Sequence, residues 1–318
     1  MKVRQAILKA LEENRGQPLS GQSLADFLGV SRAAVWKAIR ALEAQGHHIS
    51  AMPGRGYCLE ADSDILTEPG IRSRMENRSK DIPIRIETTV DSTNTRMKKL
   101  AADGWPHGSI LLADTQTGGR GRMGRSFYSP AGTGLYMSIL LRPDVSAEEL
   151  PLVTIAAAAA VSQAIEKLSG CFPQVKWVND VLVNGKKVSG ILTEGVGDLE
   201  TGTVESVIVG IGINVCTAEA SFPPPLRQTA GSLPGKVSRC ALAAEVASRL
   251  LYYTARLAAK AYLEDYRRRS LVLGKMVSFR QKDGWHTGQA LDIDDAGRLV
   301  LDGPTGRTVL RAGEIRLS

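Results

Sequence analysis

The chain has 318 residues, 43% hydrophobic and 23% charged, with a formal net charge of +7. This length allows two or three domains with separate cores, and the composition excludes a disordered or fibrous protein. The positive charge favours an anionic partner, either nucleic acid or phosphates. The first residues lack a signal-peptide core, and the apolar run Val153–Val161 is too short to cross a bilayer. We therefore expect a cytoplasmic protein without a membrane partner.

The four cysteines and four histidines form no CxxC pair and no metal-ligand motif. The cysteines are expected to be buried or bystander thiols without a metal or disulfide role, and no metal-binding residue is predicted. The chemistry of an active site is therefore expected to rest on other residue types.

Three short helices are predicted at the N-terminus, the first with Val3, Ile7 and Leu11 on one face. The second helix lies in GQSLADFLG and ends at Gly29, and the third begins at Ser31 as its N-cap. A turn of about three or four residues between two helices is the spacing of a helix-turn-helix.

The third helix is expected to bury Val35, Ile39 and Leu42, and HISAMPGRGYCLE after it predicts a two-stranded wing. Exposed residues of this helix and of the wing tip are the predicted DNA contacts: Ser31, Arg32, Lys37, Arg40 and Arg55. We interpret residues 1–62 as a winged helix-turn-helix domain and the acidic segment Glu60–Leu66 as a linker. A small helical domain with a solvated basic face is the alternative.

Residues 67–270 alternate strand-like and helical segments, with some strands in consecutive pairs. This pattern predicts an α/β or α+β domain with a mixed sheet. Residues 271–318 contain short strands separated by the turns DDAG and DGPTG, which predict a small β-barrel. The fold class is thus a multidomain α+β protein.

The segment Gln116–Phe127, QTGGRGRMGRSF, holds four glycines and three arginines. Its glycine spacing formally matches the dinucleotide fingerprint, but the chain continues into a strand and not into a helix, which excludes a Rossmann turn. Glycines with interspersed arginines predict a mobile cationic loop that closes over a phosphate or carboxylate. The alternative is an RGG-like nucleic-acid-binding segment, which is usually terminal and of low complexity.

Five motifs in order resemble the biotin protein ligase family, and the N-terminal domain resembles its bifunctional members, the biotin operon repressors. The motifs are MPGRGYCL (Met52–Leu59), DSTN (Asp91–Asn94), GRGRMGR (Gly119–Arg125), KWVNDVLVNGKKVSGIL (Lys176–Leu192) and GIGIN (Gly210–Asn214). The resemblance covers essentially the whole chain. It implies an SH3-like fold for the C-terminal domain.

The resemblance implies a role for individual residues. Biotin is expected to be bound by Ser92, Thr93, Asn94, Gln116, Gly119, Arg120, Gly121, Arg122, Lys187, Gly190 and Gly210. The nucleotide is expected to be bound by Arg122, Arg125, Phe127, Lys187 and Asn214. Lys187 and Arg122 are the implied catalytic residues. Asp180 is a further catalytic candidate, which would position the incoming amine or would be merely a turn aspartate.

The implied activity is a ligase that forms biotinyl-AMP from biotin and ATP with Mg²⁺. It would then transfer biotin to a lysine of a biotin carboxyl carrier domain, in acetyl-CoA carboxylase or another biotin-dependent carboxylase. Biotinyl-AMP would also act as corepressor by promoting a homodimer that binds operator DNA. The alternatives are a biotin-sensing repressor without ligase turnover and an enzyme of the related lipoate ligase group.

Two residues depart from the family pattern. Phe127 stands where tryptophan is usual, at the position expected to pack near adenine, and Val178 replaces the proline of the Lys-Trp-Pro-Asn-Asp motif. The phenylalanine ring can still stack on adenine. Loss of the proline removes a rigid element without removing chemistry, so both changes are expected to be tolerated.

Overall fold

The structure is a computed structural model that describes residues 3–75, 81–143, 145–198, 203–281, 284–303 and 306–317. The chain divides into two compact units. The first comprises residues 1–80 with 238–244, and the second comprises residues 81–237 with 245–318. The predicted three-domain boundaries, at 62 and 271, stay a prediction.

The first unit begins with helices α1 (Val3–Glu13), α2 (Gly21–Leu28) and α3 (Arg32–Glu43). Strands β1 (Ile49–Met52) and β2 (Gly56–Leu59) pair antiparallel as the predicted wing, and helix α4 (Glu68–Arg72) follows. Helix α4 was absent from the predicted elements because five residues, two of them proline and glycine, carry no helical periodicity.

Local signals in the sequence set the ends of α2 and α3 as predicted. Gly29 ends α2 with φ 63°, a conformation that glycine adopts without steric cost. The Ser31 Oγ accepts a hydrogen bond from the Ala34 N–H at 3.2 Å and so caps α3. The predicted stripe of α3 is confirmed, since Val35, Ile39 and Leu42 are buried in the core of this unit.

The segment Glu60–Leu66, expected to be a linker, makes specific contacts within the first unit. Arg239 donates to the Asp64 carboxylate at 2.9 Å, and Arg15 donates to the Ser63 carbonyl at 2.7 Å. Leu66 is buried. The compact unit accordingly extends beyond the wing and includes helix α4.

The second unit contains a seven-stranded mixed sheet in the order β3-β4-β5-β9-β8-β7-β6. Its strands are β3 (Ile84–Val90), β4 (Ile110–Gln116), β5 (Gly134–Leu141), β6 (Gln174–Lys176), β7 (Asp180–Val183), β8 (Lys186–Asp198) and β9 (Thr203–Asn214). Only β3 and β4 pair parallel, and the other pairs are antiparallel, so the predicted mixed sheet is confirmed. Helix α5 (Thr93–Ala102) connects β3 to β4.

Helix α6 (Leu150–Ser169) is the one helix in the described ranges that is long and apolar enough to cross a membrane. In this unit 67% of that stretch is buried, because its Ala-rich surface packs against protein. Burial of this kind is typical of a core helix.

Helix α7 (Arg239–Thr254) is also additional to the predicted elements, and helix α8 (Ala261–Arg268) follows it. The C-terminal strands form a five-stranded antiparallel sheet in the order β13-β12-β11-β10-β14. These are β10 (Met276–Gln281), β11 (Gly284–Ile293), β12 (Leu299–Gly303), β13 (Gly306–Leu310) and β14 (Ile315–Leu317). Part of the predicted DGPTG turn, Pro304 and Thr305, lies outside the described residues.

Candidate functional site

A cavity of 540 Å³ opens in the second unit over one face of the mixed sheet. The cavity is lined by residues from β7, β8 and β9, the start of α5, the end of β4 and residues 118–127, here called the glycine–arginine loop. Gly313–Ile315, at the start of β14, complete its wall. A concave site of this volume is large enough for a small-molecule substrate.

The DSTN motif places Ser92, Thr93 and Asn94 at the N-terminus of α5, where all three are buried. The Gln116 Oε1 accepts hydrogen bonds from the Thr93 N–H at 2.8 Å and from the Thr93 hydroxyl at 3.2 Å. The Gln116 Nε2 donates to Ser129 Oγ at 2.9 Å. These bonds fix the side chain of Gln116, and all of these residues except Ser129 line the cavity.

Asn94 is held on both sides of its amide. Its Nδ2 donates to the Leu192 carbonyl at 3.2 Å and to Glu194 Oε2 at 2.7 Å, while its Oδ1 accepts from Ser138 Oγ at 2.7 Å. A Cβ on Gly210 would overlap Asn94 Oδ1. A side chain at position 210 would therefore collide with Asn94, because Asn94 occupies the space above it.

The glycine–arginine loop folds back on itself as a short hairpin. Gly121 N–H donates to the Arg125 carbonyl at 2.7 Å, and Phe127 N–H donates to the Gly119 carbonyl at 2.9 Å. A Cβ on Gly119 would collide with the Phe127 carbonyl. Glycine at position 119 thus permits the close approach of the two loop strands.

The arginines of this loop have different surroundings. Arg120 is exposed at the cavity, whereas Arg122 donates from Nη1 to Asn179 Oδ1 at 2.9 Å and is partly buried. Burial lowers the pKa of Arg122 and the nearby Asp180 carboxylate raises it, yet a guanidinium stays charged at physiological pH. Arg125 forms an ion pair of 2.9 Å with Glu314.

Lys187 and Asp180 form an ion pair of 2.7 Å within the cavity wall. Asp180 begins β7 and Lys187 lies on β8, and the Asn179 Nδ2 also donates to Asp180 Oδ1 at 3.0 Å. Both side chains keep part of their surface exposed, so the ammonium and the carboxylate are accessible to a ligand. The peptide bond Trp177–Val178 just before this segment is cis.

The Phe127 ring lies against a floor of two glycines. Gly190 on β8 and Gly212 on β9 are paired in register. A Cβ on Gly212 would lie 2.5 Å from Phe127 Cε1, and one on Gly190 would lie 3.5 Å from Phe127 Cε2. Because residues 190 and 212 have no side chain, the Phe127 ring can lie close to the sheet, and so can a ligand.

Asn214, at the end of β9, is buried and also fixes a nearby loop. Its Nδ2 donates to the Gly231 carbonyl at 3.0 Å. The same loop bonds to the Lys187 backbone, because Lys187 N–H donates to the Thr229 carbonyl at 2.8 Å and Gly231 N–H donates to the Lys187 carbonyl at 2.9 Å. Thr229 also lines the cavity.

The sequence analysis missed several residues of this site: Ser129, Ser138, Asn179, Glu194, Thr229 and Glu314. Asn179 adjoins the predicted Asp180 and was open to prediction from the same motif. Ser129 and Glu194 lie within four residues of a motif, but their partners Gln116 and Asn94 are distant from them in sequence. Ser138, Thr229 and Glu314 lie away from the motifs, and only the fold brings them to the site. In the described part of the chain, no three His, Cys, Asp or Glu side chains cluster as in a metal site.

In the first unit, the five predicted DNA-contacting residues are all exposed. Ser31, Arg32, Lys37 and Arg40 lie at or on α3, and Arg55 lies in the turn between β1 and β2. Arg40 forms an exposed ion pair of 2.9 Å with Glu43. The exposed positive charges of α3 and of the wing are therefore accessible to a polyanion.

Three family models match the chain. Residues 86–214 match the biotin/lipoate A/B protein ligase family, residues 3–58 match an HTH domain, and residues 272–318 match the biotin protein ligase C-terminal domain. The match over the C-terminal sheet identifies the family of that domain, while its SH3-like description stays a prediction.

Named relatives match most or nearly all of this chain. The bifunctional ligase/repressor BirA of Bacillus spizizenii is 35% identical over 99% of this chain and 98% of the relative, and BirA of Bacillus subtilis matches equally. The biotin–[acetyl-CoA-carboxylase] ligase of Paracoccus denitrificans is 34% identical over 71% of this chain and 96% of the relative.

The fold agrees with these matches. A solved structure of biotin protein ligase from Aquifex aeolicus, in complex with biotin and ATP, superposes with a TM-score of 0.63 and 30% identity, over 74% of this chain and 99% of that chain. The chain thus combines a ligase domain, a biotin protein ligase C-terminal domain and an N-terminal helix-turn-helix domain. It belongs to the biotin protein ligase family, as a member of the bifunctional ligase/repressor type.

Proposed function

We propose that this chain joins biotin and ATP into biotinyl-AMP and pyrophosphate. It then transfers the biotinyl group to a lysine amine of a biotin carboxyl carrier domain and releases AMP. The observation that carries this proposal is the meeting of Lys187, Arg122 and Asp180 with the glycine–arginine loop in one cavity. The carrier domain of acetyl-CoA carboxylase or of another biotin-dependent carboxylase is the proposed acceptor.

Biotin would lie over the glycine-lined face of the sheet. Ser92, Thr93 and Gln116 supply hydrogen-bonding groups at one end, which suits the polar ureido head. Gly119, Arg120 and Gly121 would fold across the ligand, and Gly190 would leave room for it. Gly210 would act through Asn94, whose side chain takes the space above it. Asn94 supports this site from below, because both amide hydrogens are already donated to Leu192 and Glu194.

The first step brings a carboxylate to the α-phosphate, so two anions must approach each other and negative charge grows on the phosphoryl oxygens. Fixed positive charge is the natural catalyst for such a step. Lys187 and Arg122 would supply it between the biotin carboxylate and the phosphate. Asp180 orients Lys187 in the first step, and in the second step it would position the incoming amine of the acceptor.

The nucleotide would extend from these charges toward the loop residues and β9. Arg125 lies at the cavity and would contact phosphate oxygens after leaving Glu314. Phe127 would offer its ring to adenine, and Asn214 would hold the neighbouring loop that bounds the nucleotide.

Magnesium is proposed as the companion of ATP, where it neutralises phosphate charge. Mg²⁺ in such sites keeps several waters and binds through one or two carboxylates plus phosphate oxygens. Asp180 is the cavity carboxylate beside Lys187, and the described residues contain no cluster of three ligating side chains. These side chains fit a Mg²⁺ ion whose ligands are mainly phosphate oxygens and water, with few ligands from the protein.

The first unit would read operator DNA in the role of repressor. Arg32, Lys37 and Arg40 on α3 and Arg55 on the wing would contact phosphates and base edges. We propose that biotinyl-AMP orders the cationic loop and so promotes a homodimer, which presents two such units to a two-fold operator. A repressor that binds operator DNA is expected in the cytoplasm, so we propose this location for the protein.

A pyrophosphate-release assay tests the adenylation directly. Release should require biotin, ATP and Mg²⁺ together, and lipoate in place of biotin should give none. Release with lipoate but not with biotin would instead assign the chain to the lipoate ligase group.

A further inference from the structure

One large aromatic side chain of α3 has no role in the core. Trp36 is 50% exposed, whereas Val35, Ile39 and Leu42 on the same helix are each 1% exposed. An exposed tryptophan is unusual on a surface, since its apolar ring would gain free energy by leaving water. Packing within the first unit therefore does not explain this residue.

Trp36 stands in the middle of a row of positive charge. Arg32, Trp36 and Arg40 follow one another at intervals of four residues, so they share one face of α3. The Arg40 guanidinium lies over the Trp36 ring, 5.6 Å from its centroid, and Lys37 is adjacent in sequence. The Arg40 side chain also pairs with Glu43 and stays largely exposed, so its charge is accessible beside the ring.

We infer that Trp36 contacts bases of duplex DNA and contributes to the choice of operator sequence. This inference rests on the proposed DNA-binding function of the first unit. The flanking cations attract a polyanion, and the apolar ring between them matches the one apolar group of the major groove, the C5-methyl of thymine. An arginine or lysine at this position would add charge, whereas the tryptophan adds an apolar surface that distinguishes thymine from other bases.

Base contacts and phosphate contacts differ in a measurable way. Loss of a phosphate contact weakens binding to all sequences and reduces its salt dependence, while loss of a base contact relaxes sequence preference at constant salt dependence. Removing the methyl of thymine, by replacing it with uracil, isolates the contact that we propose. Burial of one methyl corresponds to about a four-fold change in affinity.

The experiment uses the full chain with biotin and ATP. Duplexes that it retains from a randomised pool are sequenced, and each thymine of a selected duplex is replaced in turn by uracil. We expect the wild type to lose about four-fold in affinity at one or two thymines of each half-site. Trp36→Ala should bind more weakly, show no loss at those positions, and keep the salt dependence of the wild type.

Phe27→Ala is the matched control, because Phe27 is an aromatic residue of α2 that is 80% exposed and lies outside α3. This variant should retain the uracil sensitivity of the wild type. Both variants should keep wild-type biotin transfer, since neither residue lines the cavity. The unfolding midpoint of each variant is measured alongside, so that only folded protein is compared.

Persistent uracil sensitivity in Trp36→Ala would overturn the inference, as would a wild type that is insensitive at every thymine. A change in the oligomeric state of DNA-free Trp36→Ala would also overturn it, by assigning the ring to contact with a second copy of the chain. If the wild type retained no duplex from the pool, the DNA-binding function itself would fail, a result distinct from the other three.

Discussion

The Lys187 ammonium lies 2.7 Å from the Asp180 carboxylate, across the neighbouring strands β8 and β7. The pair is anchored on both sides, by Asn179 next to Asp180 and by the Thr229 carbonyl on the Lys187 backbone. A lysine held in this way has a defined place in the cavity before any ligand enters. Preorganised charge of this kind needs no rearrangement as negative charge develops.

Lys187→Met should abolish most of the adenylation while leaving the fold intact. The methionine keeps most of the length of the side chain and removes the positive charge that we propose acts on the phosphoryl oxygens. We expect biotin-dependent pyrophosphate release to fall by about 10²–10³-fold. Lys186→Met is the control, since Lys186 pairs with Glu219 outside the cavity lining. Normal release by Lys187→Met would remove Lys187 from the mechanism.

Asp180→Asn should separate the two half-reactions. The amide still fits the site, but it no longer attracts Lys187 or accepts a proton from an amine. Pyrophosphate release should fall a few-fold, and transfer of biotin from preformed biotinyl-AMP to the carrier domain should fall further. Single-turnover measurements of each step give the two rates, and an equal loss in both would restrict Asp180 to holding Lys187.

Gly212→Ala should destabilise the second unit through Phe127. The new Cβ would lie 2.5 Å from the ring, and overpacking of this kind costs about 1–3 kcal/mol. The double variant with Phe127→Ala should recover most of that loss, because the ring is gone. Urea unfolding of the single and double variants measures the coupling, and purely additive effects would contradict the contact.

Glu194 should contribute stability that depends on pH. Burial raises the pKa of Glu194, but hydrogen bonds from Lys98 and Asn94 outweigh it, so the pKa lies below its ordinary value of 4.5. A depressed pKa in the folded state stabilises the protein above pH 4.5, and this contribution is lost as the pH falls through the folded-state pKa. Glu194→Gln should therefore be less stable than wild type at neutral pH, with a difference that shrinks in acid.

Urea unfolding midpoints at neutral and acidic pH provide this comparison. Glu148→Gln is the control, since its side chain is 80% exposed, and it should change the midpoint little at either pH. A constant difference between wild type and Glu194→Gln at every pH would assign the effect to packing and not to charge.

Arg55→Ala should weaken DNA binding uniformly across sequences. Arg55 is exposed in the wing turn, where a phosphate contact is expected. The slope of log affinity against log salt should decrease in magnitude by about 1. An unchanged slope in a gel-shift titration would exclude Arg55 as a phosphate contact.

Local features of the fold were open to prediction from sequence. Examples are the cap of α3 at Ser31, the end of α2 at Gly29 and the apolar stripe of α3. Each depends on neighbours within one or two helical turns, so its role follows from spacing along the sequence alone. The mixed sheet and the wing were likewise predicted. The arrangement of the glycine–arginine loop as a strand-to-strand connection also followed from the segments that flank it.

Long-range contacts of the site were not predictable in the same way. Glu194 reaches Asn94 from 100 positions away, and Glu314 reaches Arg125 from the C-terminal sheet. Gly210 and Gly212 show the same limit, because the groups that exclude a side chain there, Asn94 and Phe127, are distant in sequence. Such pairs depend on sheet register, which short motifs do not specify.

Transfer of labelled biotin to a biotin carboxyl carrier domain, with ATP and Mg²⁺, tests the central claim most directly. We predict ATP-dependent labelling of one lysine of the carrier by the wild type and none by Lys187→Met. Biotin binding without transfer by the wild type would contradict the ligase function, and the chain would then act as a biotin-sensing DNA-binding protein.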